Sequence, residues 1–316
     1  MSAPVELARA SRATSATYRG LVYTAPLARS RVGATVWERA WSRLERRACG
    51  TTHIRLHGHS VRVNIGHPYP AFIRRWPTYN SPLVRVVRMV HRTLERPVTL
   101  VDVGASVGDT ALLVTERCPG MVDEIWCIEG DDTFAALLEE NVRALGGVHV
   151  LHAMASDGTA APSLVRTHAG SAGPRGPRGI AASPLDELVA GARRVDVVKI
   201  DTDGFDGRVL QGSARILSEH APVVQFEWHP ALYRAAEVPI ELPFAVLGDA
   251  GYNTFVWFDK FGQYAQTERR PCDQELVARA QWCIDGDTPA PDWHYDVVAL
   301  PRTHEHDRRV LESSER

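Results

Sequence analysis

The sequence predicts an α/β fold whose mostly parallel sheet carries helices on both faces. Three observations support this. From residue 98 onward, short apolar runs alternate with stretches of helical length, the pattern of βαβ crossovers. The first run enters a glycine-bearing turn that opens a helix, as at the ligand-binding edge of such sheets. The 316 residues are 44% hydrophobic and 23% charged, an ordinary globular composition with enough apolar material for a sizeable core.

Residues 1–97 read as an N-terminal extension of helices and strands, poised to act as a lid and acceptor wall. Its first 50 residues are polar, with helical patterning over Thr35–Arg47 through Val36, Trp37, Ala40, Trp41 and Leu44. Residues 52–65 alternate as strands do, through Ile54, Leu56, Val61, Val63 and Ile65. A Pro-rich aromatic segment runs from His67 to Asn80, and Pro82–Leu94 reads as an amphipathic helix stopped near Pro97.

Residues 98–301 read as the main domain. Thr99–Val103, Glu124–Ile128, Val148–Leu151, Val195–Ile200 and Val223–Trp228 are strand candidates, with helices over Thr110–Arg117, Thr133–Leu145 and Gly207–Leu217. Leu242–Ala250, Asn253–Phe258 and Trp293–Leu300 would continue the sheet. No clear helix separates the last two, so an antiparallel finishing strand fits there. His168–Ser183, rich in Gly, Ala and Pro, reads as a mobile loop. Residues 302–316 are charged and patternless and read as a disordered tail.

The formal net charge of −2 argues against a nucleic-acid or membrane-surface binder. No stretch approaches the roughly 18 apolar residues of a membrane helix. The N-terminus lacks the apolar core of a secretory signal. Cys49, Cys118, Cys127, Cys272 and Cys283 are odd in number and show no C-x-x-C spacing, which speaks against a disulfide framework or structural zinc and for a cytoplasmic location. Oligomeric state is not legible. Of the 36 basic residues only Lys199 and Lys260 are lysines, so each lysine draws notice.

Val101-Asp-Val-Gly-Ala-Ser-Val-Gly-Asp-Thr110 is the strongest local signal. Gly104 permits a tight turn, Gly108 opens the helix, and Asp109 and Thr110 fill its first turn. Glycines let a ligand approach backbone N–H groups, here through Gly104, Ala105, Ser106 and Gly108. The spacing is not G-x-G-x-x-G, and no G-K-[ST] follows, so neither a dinucleotide nor a phosphate loop is matched. Asp102 and Asp109 disfavour a polyphosphate and suit a cationic ligand. Glu129, 25 residues beyond Gly104, can accept both hydroxyls of a ribose. A nucleoside with a cationic arm meets these demands, and S-adenosylmethionine is one. Ser156 or Asp157, in Ala155-Ser-Asp-Gly158, could meet the adenine edge.

Val195-Asp-Val-Val-Lys-Ile-Asp-Thr-Asp-Gly-Phe-Asp206 is the second informative stretch. Alternation puts Val197, Lys199 and Asp201 on one face, and Gln225, Glu227 and His229 on one face of the next strand. A lysine in a buried strand needs a partner. Asp203 and Asp206 suit the start of a helix. Asp201 and Glu227, at adjacent strand ends, could hold Mg²⁺ or orient a hydroxyl, and His229 could act as a general base. The patch His53, His57, His59 and His67 matches no standard metal spacing.

Together VDVGASVGDT, IWCIEGDDTFAALLEENV, ASDG, SPLDELV, VDVVKIDTDGFDGRVLQGS and PVVQFEW make the chain resemble the FkbM-type S-adenosylmethionine-dependent methyltransferases. The matching region runs from about residue 100 to 230 and extends upstream through Pro77-Thr-Tyr-Asn80, which brings Tyr79 and Asn80 to the cofactor side. Ser106 stands where the family usually has Asn, and Asp203 and Asp206 where it has Glu. The resemblance implies a seven-stranded Rossmann-like class I methyltransferase fold with an antiparallel last strand. It also implies O-methylation of a hydroxyl on a small molecule, sugar or other natural product. Lys199, Asp201, Glu227 and His229 are then the catalytic candidates, acting directly or through a divalent ion. Competing readings are a non-catalytic cofactor-binding protein on this scaffold and a dinucleotide oxidoreductase.

Overall fold

The computed structural model of the chain describes residues 7–46, 49–159, 161–168 and 171–313. Helix α1 (Arg12–Thr24), a 3₁₀ turn (Ala25–Arg29) and α2 (Arg31–Glu45) open it. Ser11 and Ser30 cap the two helices by accepting from Thr14 N and Gly33 N. The alternating stretch is a hairpin of β1 (Thr51–Leu56) and β2 (His59–Asn64). Helices α3 (Tyr69–Arg75) and α4 (Ser81–Leu94) follow. Tyr18, Trp41, Leu56 and Val63 share one core with Val107, Leu112, Phe134 and Leu137, so the extension is welded to the turn after the first sheet strand.

The main sheet begins with β3 (Val98–Val103), α5 (Asp109–Arg117), β4 (Val122–Glu129), α6 (Asp132–Val142) and β5 (Val148–His152). Short β6 (Met154–Ser156) leads to paired β7 (Ala161–His168) and β8 (Ser171–Ile180), then β9 (Ala182–Pro184), which pairs with β6, and the single turn α7 (Leu185–Leu188). Strand β10 (Val197–Ile200), helix α8 (Asp206–Gln211) and a wide-turn helix (Ile216–His220) precede β11 (Val223–Trp228). Then come α9 (Pro230–Ala235), α10 (Leu242–Asp249), β12 (Thr254–Asp259), β13 (Tyr264–Arg269), α11 (Asp273–Asp285), β14 (Tyr295–Leu300), a 3₁₀ turn (Arg302–Asp307) and α12 (Arg308–Glu312).

The sheet order is β13-β12-β14-β11-β10-β3-β4-β5. The pairs from β5 to β11 are parallel, and β14 runs antiparallel to both β11 and β12. Chain order reverses between β3 and β10, the switch point where ligands bind in such sheets. One face packs Leu83, Val87, Leu100, Val197, Val223 and Val298 together. The other packs Val101, Val198, Phe226, Trp228, Phe244 and Trp257. Asp102, Lys199, Gln225, Glu227 and Asp296 share the first face by alternation.

Five expectations need correction. The sheet has eight strands rather than seven, because β13 adds a hairpin outside β12. Its Tyr264–Arg269 sequence is polar and carries no apolar face, so periodicity hid it; the turn is set by Asp259, whose Oδ1 accepts from Phe261 N and Gln263 N, both at 2.9 Å. Leu242–Ala250 is helix α10, not strand; an almost wholly apolar run carries no period, and Pro243 in the first turn suits a helix. Helix α11 fills the gap before β14. Within His168–Ser183, Ser171–Ile180 is a strand paired with Ala161–His168, not a loop. Residues 302–313 are helical rather than a tail: Leu311 is buried, Arg85 Nη1 donates to the carbonyls of Leu311 (3.2 Å) and Ser313 (3.0 Å), and Thr93 bonds Asp307. Residues 314–316 lie outside the described residues.

Candidate active site

A cavity opens at the switch point, beyond the carboxyl ends of β3, β4 and β10. Gly104, Ser106, Glu129, Asp201 and Asp203 line it with Phe134, Met154, Ala155 and Phe205. Glu129 is 7% exposed. Its Oε2 accepts from Ser106 N and its Oε1 from Asp131 N, both at 2.8 Å. Burial outweighs those bonds and raises its pKa to about 7. Each oxygen keeps a lone pair for a further donor. The lining therefore offers a held carboxylate together with the apolar side chains of Phe134, Met154 and Phe205.

The glycines of the turn serve the protein's own packing. A side chain at Gly104 (φ 81°) would strike the carbonyl oxygen of Asp201. One at Gly108 (φ 87°) would meet Val142 and Leu138 of α6. Close approach is thus required here between strands and helices, and only Gly104 of the two also borders the cavity.

Asp102 is fully buried, with Oδ1 3.2 Å from Lys199 Nζ, and Asp201 Oδ2 lies 3.4 Å from the same nitrogen. Burial opposes charge on Lys199, but Asp102, Asp201 and Asp109 outweigh it and raise its pKa well above the usual lysine range. Burial also raises Asp109 to about 7. Asp102, Asp109, Ala105, Gly108 and Thr110 stand behind the cavity rather than in it.

Beyond Asp201 lies a second, acidic zone. Glu227 and Asp296 are register partners on β11 and β14. Burial, then Asp201, raises Asp296 to about 7 and Glu227 well above the carboxylate range. Asp206, fully buried, accepts from Thr202 Oγ1 at 3.1 Å and from Glu227 N at 3.3 Å, and is likewise raised to about 7. Tyr79 packs edge-on against Tyr69 and Phe72. Its hydroxyl is kept neutral by burial first, then by Asp201, Asp296 and Glu227. Asn80 takes a left-handed conformation (φ 62°) at the start of α4, and the Tyr69 hydroxyl lies 2.8 Å from His57 Nε2. The structure thus brings Tyr79 to the acidic zone, and neither Tyr79 nor Asn80 to the cavity lining.

Ser156 and Asp157 also stay out of the lining. Ser156 is fully buried, and Asp157 Oδ1 accepts from Thr159 N at 2.9 Å. Ala153, Met154 and Ala155 take the position on the cavity wall expected for them. His229 is buried and engaged with Asp292: Nε2 lies 2.9 Å from Oδ1, and the ring stacks on His294 at 4.9 Å. Asp201 and Glu227 belong to no group of three donor side chains within 4.8 Å among the described residues; that group is His229, Asp292 and His294. Arg74 and Arg75 are spent on structure, donating to Pro70 and Arg55 carbonyls and to Glu38.

Sequence reasoning missed Phe134, Met154, Phe205 and Asp296. The first three are apolar residues within or next to motifs, where side-chain type alone marks nothing. Asp296 lies on a strand whose neighbour could not be known from the chain order.

A model of the Methyltransferase FkbM domain family matches residues 102–254. Residues 102–254 are a methyltransferase FkbM domain. Among solved structures, the chain is similar to a methyltransferase FkbM from Methylobacillus flagellatus KT, at 18% identity and a TM-score of 0.41, over 65% of this chain and 44% of that one. It thus spans less than half the length of that relative. A SAM-dependent methyltransferase from Agrobacterium tumefaciens aligns at 11% identity and a TM-score of 0.42, over 80% and 70% of the two chains. M. jannaschii TYW2, solved in complex with AdoMet, aligns at 14% and 0.37, over 79% and 84%. No curated protein matches the chain. No described helix is long and apolar enough to cross a membrane.

Proposed function

We propose that the chain is an S-adenosylmethionine-dependent methyltransferase acting on a hydroxyl of a small molecule, sugar or other natural product. The observation that carries this reading is the cavity at the switch point of the FkbM domain, lined by both Glu129 and Asp201. The residues fit the cofactor. Glu129 would accept the ribose hydroxyls, and Phe134, Met154 and Phe205 would enclose the adenine. Bound there, S-adenosylmethionine supplies an electrophilic methyl group on a sulfonium.

The protein's part is to align the acceptor oxygen and take its proton. Alignment supplies several kcal/mol of barrier lowering. Protonated Lys199 holds Asp201 at the cavity mouth. Asp201 orients the acceptor hydroxyl, and Glu227 in its ionised form takes its proton, since the burial that raises its pKa makes that carboxylate the stronger base. Lys199, kept charged by its carboxylates, positions Asp201 and is no base. Tyr79 forms the acceptor wall with the N-terminal extension above it.

The deciding experiment is calorimetric titration of the folded chain with S-adenosylmethionine and S-adenosylhomocysteine. Micromolar binding of either is expected, without binding of NAD. Absence of both, in a chain that melts cooperatively, would overturn the reading.

A further inference from the structure

His229, Asp292 and His294 lie beside the acidic zone and have no part in the cavity. One nitrogen from each imidazole and one carboxylate oxygen lie within 4.8 Å of one another. The loop that carries Asp292 is fixed. Asp292 is left-handed (φ 59°), and Lys260 Nζ donates to the carbonyls of Pro291 (2.8 Å) and Asp292 (2.7 Å). His294 Nδ1 lies 3.1 Å from the Asp292 carbonyl. A carbonyl only accepts, so Nδ1 carries the proton and Nε2 presents a lone pair. That Nε2 faces Glu227 Oε1 at 3.5 Å. The His294 Nε2 lone pair therefore faces a Glu227 carboxyl oxygen, a contact that a proton on that carboxyl or a cation between the two would satisfy.

An imidazole held through Nδ1–H on a backbone carbonyl is how proteins orient metal-binding histidines. Asp292 Oδ1 lies 2.9 Å from His229 Nε2, so the two ligand atoms already converge. Two imidazoles and a carboxylate are ligands for zinc-type first-row ions rather than for magnesium, and three protein ligands leave a position open.

We propose that His229, Asp292 and His294 bind a zinc-type divalent ion, with Glu227 beside its open position. On binding, the ion displaces the proton shared between His229 Nε2 and Asp292. The site assigns the metal to residues other than Asp201 and Glu227. Its placement at the acceptor side rests on the proposed function; its existence does not.

The test is titration of the chelator-treated full chain with Zn²⁺ by calorimetry and Co²⁺ by absorption. Roughly one equivalent is expected to bind, with Mg²⁺ not competing. Asp292→Ala and His294→Ala should each weaken binding at least about tenfold. Asp292 is exposed, so its variant keeps the test valid if a histidine variant fails to fold. No stoichiometric binding by the folded wild type would overturn the proposal, and so would equal binding by both variants. S-adenosylhomocysteine titrated into the same samples separates the two readings: its binding without zinc defeats the metal site alone, and zinc without its binding defeats the methyltransferase reading alone.

Discussion

Lys199 Nζ sits 3.2 Å from Asp102 Oδ1, and the two residues are register partners on neighbouring parallel strands. Both are buried. A charge there is tolerable only because its partner is one strand away. Lys199→Met leaves the Asp102 carboxylate uncompensated and should cost about 3–5 kcal/mol in urea unfolding. Adding Asp102→Asn should recover part of that loss. A Lys199→Met chain as stable as the wild type would mean that Asp102 is already neutral.

Glu129 holds the turn and faces the cavity. Glu129→Ala should weaken S-adenosylhomocysteine binding about tenfold or more, because charge-assisted hydrogen bonds are worth roughly 1.5–3 kcal/mol. Calorimetry reads this directly. Unchanged affinity would remove Glu129 from the cofactor site.

Gly104 has a left-handed backbone and lies against the Asp201 carbonyl. Gly104→Ala must push β3 and β10 apart at the cavity. A loss of about 2 kcal/mol or more is expected, from strain and collision together. Cofactor affinity should fall with it, measured on the fraction that folds. An Ala variant that melts like the wild type would contradict the close approach.

Asp296 gives a pH signature. Its folded pKa, about 7, lies above the ordinary carboxylate value because of burial and then Asp201. A group raised in this way contributes stability that is complete below the unfolded pKa and is lost as pH rises through about 7. Asp296→Asn should therefore resemble the wild type at pH 4 and exceed it at pH 8, by about 1 kcal/mol or more, one unit of pKa being worth about 1.4 kcal/mol. Thermal unfolding at the two pH values decides it; the same difference at both would refute the assignment.

Local pattern carried the reading furthest where chemistry and period coincide. Val98–Val103 and Val197–Ile200 are wholly buried strands, and their apolar runs between turn signals said so. Glu129 and Asp201 were legible as cavity-lining candidates because polar residues at the ends of such runs are costly unless used. Leu242–Asp249 and Tyr264–Arg269 were not, since one has no polar face and the other no apolar one.

The sequence by itself determined the βαβ framework, the turn at Gly104, and the faces shared by Lys199 with Asp201 and by Gln225 with Glu227. Those are properties of neighbours in the chain, set by the period of a strand and the freedom of glycine. Only the tertiary structure decided that Tyr79, Glu227, Asp296 and His294 meet. Their contact depends on β14 inserting between β11 and β12 and on α4 bringing the extension to that edge, and strand order is fixed by packing between distant segments rather than by any local pattern.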